Sequence, residues 1–269
     1  MTRVDNDPDH LLEFARDVAV EAGRLIADGR KQGLQDVTTK SSPTDMVTEY
    51  DRLSEQFITE RLQSARPNDA LLGEEGARWS GTSGIEWLVD PIDGTTNFLY
   101  GLAGYAVSIG ARDGLGGLLG VVVVPATGEV FSARRGAGAH CNGQPIRCSI
   151  TTDVARALVA TGFSYDPSQR ARQGARIAAL LPRIRDIRRF GAAAPDLCYV
   201  ASGRVDAYFE EGLQPWDLAA GAVIAREAGC RLGAIDGAPL HPGSVLAAGP
   251  DLYDALQQLL AECSEPTDR

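Results

Sequence analysis

Apolar residues recur with helical period near the start of the chain. Leu11, Leu12, Phe14, Ala15, Val18, Ala19, Ala22, Leu25 and Ile26 share one side of a 3.6-residue turn, which predicts an amphipathic helix over residues 10 to 29. Gly29 and Gly33 suit its end. The polar stretch TTKSSPTDM, residues 38 to 46, reads as a loop, and Val47, Leu53, Phe57, Ile58 and Leu62 predict a second helix closed by Arg66-Pro67. The opening part of the chain is therefore expected to be helical up to about residue 66.

Beyond that point the period changes. ALLG, IEWLVD, YAVSIGAR, LLGVVVV, EVFSAR and AHCNG are short apolar or alternating runs set off by Gly, Pro and Asp, the pattern of a multi-stranded, largely antiparallel sheet. From residue 157 strands and helices alternate. ALVATGF, DIRRF, DAYFE, CRLGA and SVLAAG read as strands, and residues 168 to 181, 193 to 203, 215 to 229 and 251 to 262 as helices. This order predicts a layered α/β fold of two subdomains sharing a cleft, residues 1–150 and 151–269, with no linker, internal repeat or low-complexity segment between them.

Composition narrows the function classes. The 269 residues suffice for one large domain or two joined ones, and 44% hydrophobic with 23% charged residues is ordinary globular chemistry. A net charge of -10, from 26 basic and 36 acidic residues, argues against duplex nucleic acid as the main partner, because phosphate neutralisation needs clustered cations. The local cluster Arg183, Arg185, Arg188 and Arg189 reads first as a solvated or subunit-facing surface. Five cysteines without CxxC spacing indicate reduced, mostly buried thiols rather than a disulfide framework or zinc cluster. No apolar run is long enough for a membrane helix, and the polar, acidic MTRVDNDPDH start points to a cytoplasmic protein.

Candidate chemistry lies in carboxylates placed at strand ends or helix starts. Glu74 and Glu75 follow ALLG, Asp90 and Asp93 follow IEWLV, and Asp217 sits in QPWDLAAG. Burying several such charges together is prohibitive without a compensating cation, so the set is either dispersed in space or a metal site. The donors are hard oxygens with no His or Cys close in sequence, which favours Mg²⁺ over zinc or copper. Glu74, Asp90, Asp93, Asp217 and the Ile92 carbonyl could hold two such ions. Gly94, Thr95 and Thr96 would let consecutive N–H groups face an anion. Asp-Gly also occurs at Asp113-Gly114 and Asp236-Gly237, where it simply turns the chain, so DPIDGTT by itself reads equally as turn or site. Asp217 near a helix start is favourable for the dipole even without a metal. His10, His140 and His241 read as surface or structural residues.

Five stretches together carry a family resemblance. LLGEEG (71 to 76), WLVDPIDGTTNF (87 to 98), QPWDLAAGAVIAREAGC (214 to 230), KSSPTDMVTEYD (40 to 51) and RRFGAAAPDLCYVASGRVDAYFE (188 to 210) resemble segments of the inositol monophosphatase family of lithium-sensitive, Mg²⁺-dependent phosphatases, and they follow the family's order along the chain. The likeness runs from about residue 10 to residue 260. It implies a layered αβαβα sandwich, as in the fructose-1,6-bisphosphatase type of fold, and a homodimer. It implies two Mg²⁺ ions, or three: Glu74, Asp90 and the Ile92 carbonyl on one, Asp90, Asp93 and Asp217 on another. Gly94 and Thr95 would offer N–H groups to phosphate; Thr95 and Glu74 would orient the attacking water, with Asp51 supporting Thr95 and Lys40 in a loop closing over the metals. Gly191, Ala192, Ala193 and Glu210 would line a sugar pocket, and Arg188 falls where bacterial members place an arginine near substrate. Pro195 stands where related sequences often have an aliphatic residue, a departure that bears on the sugar side.

The activity implied is hydrolysis of myo-inositol monophosphate. The same chemistry on histidinol phosphate, fructose 1,6-bisphosphate, another sugar phosphate or a 3'-phosphoadenosine nucleotide is the alternative, as is a regulatory role through the dimer surface with RNA-polymerase-associated factors.

Overall fold

The computed structural model describes residues 6–32, 37–39 and 46–264. Five layers stack as helices, sheet, helices, sheet, helices. Helices Pro8–Gln32 and Glu49–Ala65 form one outer layer. Their apolar stripes, including Leu11, Val18, Ile26, Ile58 and Leu62, pack with Trp87, Val107, Ile109 and Val121 of an eight-stranded sheet. Ala15, Ala19, Ala22 and Gly23 let the first helix settle closely on strand Gly116–Val124; a Cβ at position 23 would lie 2.9 Å from Val123 Cγ1.

That sheet runs, edge to edge, Gln144–Ile146, Ala139–Cys141, Glu129–Arg134, Gly116–Val124, Ala106–Asp113, Glu86–Asp93, Ala70–Gly73 and Arg78–Trp79. All pairs are antiparallel except Ala70–Gly73 against Glu86–Asp93, which is parallel. Alternation assigns its faces: Val121 and Val123 meet the outer helices, whereas Val122 and Val124 turn to the middle layer. The middle layer is helices Ala193–Ala201 and Pro215–Glu227, which are buried on nearly every side because a sheet lies on each face.

The second sheet runs Asp186–Arg188, Leu158–Thr161, Ala207–Glu211, Ser244–Ala248, Arg231–Gly233. Its Tyr208, Val245 and Ala247 face the middle helices, and Phe209, Leu246 and Ala248 face the outer helices Pro167–Leu180 and Pro250–Glu262. The expected αβαβα sandwich is what forms.

One expectation needs correcting. The polar pattern predicts loop over residues 38 to 46 within a helical opening, but Val37–Thr39 and Met46–Thr48 pair as a short antiparallel ribbon. Thr and Val tolerate extended backbone well, and two strands of three residues lie below what hydrophobic alternation can reveal. Strands Gln144–Ile146 and Arg78–Trp79 escape the same pattern, being only three and two residues long.

Candidate active site

The strand Glu86–Asp93 delivers the first two acids. In a regular strand Asp90 and Asp93, three apart, would point to opposite faces. The register shifts between them: Asp90 pairs with Ser108 and Asp93 with Ala106, so one strand spends an extra residue. Pro91 lacks the N–H a ladder needs, which localises the bulge. Both carboxylates thereby reach the same side, toward the starts of the middle helices.

Those helix starts hold them. Ala193 and Ala194 donate backbone N–H bonds to Asp93 Oδ1 at 3.3 Å and Oδ2 at 2.6 Å, so Asp93 caps helix Ala193–Ala201 across 100 residues of chain. Asp217 sits in the first turn of helix Pro215–Glu227 and accepts from Gln214 N at 2.7 Å, closing a capping box. Pro195 falls in the first turn of its helix, where a missing N–H breaks no helical bond.

Helix Glu49–Ala65 braces the floor from behind, through residues spaced for one face. Asp51, buried, accepts from Thr48 N at 2.7 Å, Thr48 Oγ1 at 2.6 Å and Thr95 Oγ1 at 3.1 Å. The Thr95 hydroxyl lies equally near the Ile92 carbonyl, at 3.1 Å. Ser54 donates to the Pro91 carbonyl at 3.1 Å, steadying the bulge. Glu55 accepts from Glu75 N at 2.8 Å and Ala77 N at 2.9 Å, fixing the turn that carries Glu74.

Gly94 caps the short helix Thr95–Tyr100 in the left-handed region at φ 87°, where a Cβ would also meet Gly104 O at 2.8 Å and Ala192 Cβ at 2.9 Å. Asn97 Nδ2 donates to the Gly104 and Phe190 carbonyls at 2.6 and 2.7 Å and ties this floor to the segment before Gly191. A cleft of about 460 Å³ opens above, lined by Glu74, Asp90, Ile92, Asp93, Gly94 and Thr95 on one side. Gly191, Ala192, Ala193, Glu210, Trp216 and Asp217 line the other, and Phe163–Asp166 its rim.

Electrostatics make this an acid-loaded site. Asp90 is pushed well above the usual carboxylate range, by burial first and then by Glu74, Asp93 and Asp217. Asp93 is pushed up by burial and Asp217, with the two helix N–H groups opposing. Asp217 rises to about 7 and Asp51 to about 6, each chiefly from burial. Glu210 is raised by burial, against a 2.6 Å hydrogen bond from Tyr208 and the charge of Arg189. Arg189 is the one basic side chain lining the cleft among the described residues. Among those residues no three His, Cys, Asp or Glu side chains close into a compact chelate, although Glu74, Asp90, Asp93 and Asp217 line one cleft.

The cleft thus gathers Glu74, Asp90, Ile92, Asp93, Gly94, Thr95, Gly191, Ala192, Ala193, Glu210 and Asp217, with Asp51 bonded to Thr95 beneath. Lys40 lies outside the described residues. Thr96 is half-buried but not on the cleft wall. Arg188 does not reach it either: it is exposed on the edge strand Asp186–Arg188, paired with Asp186 at 2.6 Å, and the next residue, Arg189, lines the cleft. Alternation turns neighbouring side chains to opposite sides, so an offset of one residue reverses the placement. Sequence reasoning did not single out Ser54, Glu55, Asn97, Tyr208 or Asp196. Asp196 is buried with Oδ1 unpartnered by any described group, and burial with Glu210 and Asp93 nearby raises its carboxyl well above normal.

Comparison with known proteins identifies the family. The model of the inositol monophosphatase family matches residues 7–265. An inositol-1-monophosphatase of Mycobacterium leprae is 43% identical, over 95% of this chain and 95% of that protein. A Nus factor SuhB of Vibrio cholerae is 38% identical over 94% and 96%. The crystal structure of extragenic suppressor protein suhB from Bartonella henselae superposes with a TM-score of 0.88 at 34% identity, covering 93% of this chain and 98% of that one. The chain belongs to the inositol monophosphatase family.

Proposed function

We propose that this protein is a Mg²⁺-dependent phosphomonoesterase that hydrolyses myo-inositol monophosphate to inositol and phosphate. The observation that carries the reading is the convergence of Glu74, Asp90, Asp93, Asp217 and Glu210 on one cleft. The residues fit the cation. Four hard-oxygen acids, two of them pushed well above their usual range by burial and mutual repulsion, face a cleft with a single arginine. Mg²⁺ keeps several waters and shares substrate phosphate, so it needs no closed cage. Glu74, Asp90 and the Ile92 carbonyl would hold one ion, and Asp90, Asp93 and Asp217 a second.

When bound, the ions supply positive charge for the transferring phosphoryl group and make water acidic enough to attack at neutral pH. The chain's own groups do the positioning. Asp51 and the Ile92 carbonyl set the direction of the Thr95 hydroxyl, which with Glu74 orients the attacking water. Gly94 and Thr95 turn N–H groups to the phosphate. Glu210, held by Tyr208, accepts from a ring hydroxyl of the polyol, and the small or missing side chains at Gly191, Ala192 and Ala193 leave room for the ring. No protein nucleophile is required.

A substrate panel tests this: kcat/KM for myo-inositol 1-phosphate against histidinol phosphate, fructose 1,6-bisphosphate and a 3'-phosphoadenosine nucleotide, each with and without lithium. The inositol ester should lead, with lithium inhibition. A lead for any other ester refutes the substrate assignment. A cytoplasmic homodimer belongs to the same proposal, and the dimer is read from the molar mass in solution. A second, regulatory role is favoured by the exposed Arg188–Asp186 pair on the sheet edge and by relatives named Nus factor. Capture of transcription factors by Asp93→Asn protein, lost in Arg188→Glu, would support it.

A further inference from the structure

Two of the five cysteines are brought together by the fold, although they stand 82 positions apart in sequence. Cys148 lies in the crossover from the large sheet to the small one, and Cys230 follows helix Pro215–Glu227. One backbone bond joins the two segments: Cys148 N donates to the Ala228 carbonyl at 3.1 Å, two residues before Cys230. Gly229, at φ 92°, turns the chain just before Cys230, and a Cβ placed there would lie 3.7 Å from Cys148 Sγ. The two thiols are near enough for each to shift the other's titration. Cys148 is half-buried, so it meets small solutes, whereas Cys230 is buried behind it.

We propose that Cys148 and Cys230 form a peroxide-reactive dithiol that closes an intramolecular disulfide. Cys148 is the attacking sulfur and Cys230 the resolving one. The Cys148 thiolate attacks the O–O bond of a hydroperoxide, giving a sulfenic acid and releasing the alcohol, or water from hydrogen peroxide, with the thiol's proton passing to the leaving oxygen. Cys230 sulfur then attacks the sulfenic sulfur, its proton leaves with the hydroxyl as water, and the S–S bond forms. Two thiols are oxidised and one peroxide is reduced.

The polarity of the pair supports this order. The neighbouring Cys230 thiol brings the Cys148 thiol down to about 7 against burial and the charge of Asp251, while the Cys230 thiol is pushed up and keeps its proton. Cys141 is an internal control. It is also half-buried, but burial and Glu129 raise its thiol, and no other cysteine bonds it among the described residues.

The cross-link would tie the crossover to the end of the helix whose first turn carries Asp217. The full chain, reduced and then treated with hydrogen peroxide, is followed by intact mass and peptide mapping. The expected product loses two hydrogens, retains three of the five free thiols, contains a 148–230 linked peptide and reverts with dithiothreitol. Cys148→Ser and Cys230→Ser should each abolish that product, and Cys230→Ser should leave Cys148 trapped as sulfenic acid or its further oxides. Cys141→Ser should behave as wild type. The same mapping reads out even if one variant folds poorly, because wild type and Cys141→Ser carry the positive result. Oxidation at Cys141 ahead of Cys148, a disulfide only between chains, or five intact thiols after treatment would overturn the proposal.

Discussion

Replacing Asp51 by Asn removes a buried charge while keeping size and one oxygen acceptor. Asp51 is fully buried in the first turn of its helix, and burial raises its carboxyl from 3.8 to about 6, with the Thr48 hydroxyl and amide opposing. The sign follows from proton counting. Between those values the folded protein holds a proton on Asp51 that the unfolded chain has released, so stability falls as pH rises through the window and is flat above it. At about 1.4 kcal/mol per unit, the loss is about 3 kcal/mol. The side-chain amide of the variant cannot titrate, so that part of the pH dependence should vanish. Urea unfolding of metal-free wild type and Asp51→Asn at about pH 4 and about pH 8 isolates it, because contributions of the other acids are shared. The wild type should lose about 2–3 kcal/mol more than the variant over this span. Equal losses would refute the assignment of a costly buried charge to Asp51.

Three further outcomes follow from the same geometry. Gly94→Ala must place a Cβ in left-handed backbone and against Gly104 O at 2.8 Å. It should lose at least about 1–2 kcal/mol of stability, read from urea unfolding, and most turnover. Glu55→Gln keeps the helix but can no longer accept two N–H bonds with a charged carboxylate, so the Glu74 turn loosens. The Mg²⁺ concentration for half-maximal activity should rise by about 10–100-fold, measured by titration. Mg²⁺ affinity, measured by calorimetry, should strengthen from pH 5 toward about pH 8 with proton release, because Asp217 at about 7 and the raised Asp90 and Asp93 must give up protons to bind.

Much of this site was legible in the sequence because its acids occupy positions where ordinary folding would not put them. Asp90 and Asp93 end an apolar strand, Glu74 follows another, and Asp217 follows Pro-Trp, so each departs from the hydrophobic pattern that surrounds it. The layers were readable for a related reason: the apolar run GVVVV and the small-residue stripe of the first helix both report burial. The supporting residues were not readable. Glu55 and Ser54 look like the polar face of an amphipathic helix, and only the tertiary fold turns them toward the Glu74 turn and the Pro91 carbonyl. Asn97 resembles a turn residue until its bonds to Gly104 and Phe190 appear. Arg188 and Arg189 were inseparable in sequence, since only the position of the strand's end decides which faces the cleft.

Whether the clustered acids form a metal-dependent phosphatase centre is decided by phosphate release from myo-inositol 1-phosphate in wild type and Asp93→Asn, with Mg²⁺ and with chelator. Turnover is expected only for wild type with Mg²⁺, while circular dichroism shows both proteins folded. Undiminished turnover in chelator, or in Asp93→Asn with Mg²⁺, would contradict it.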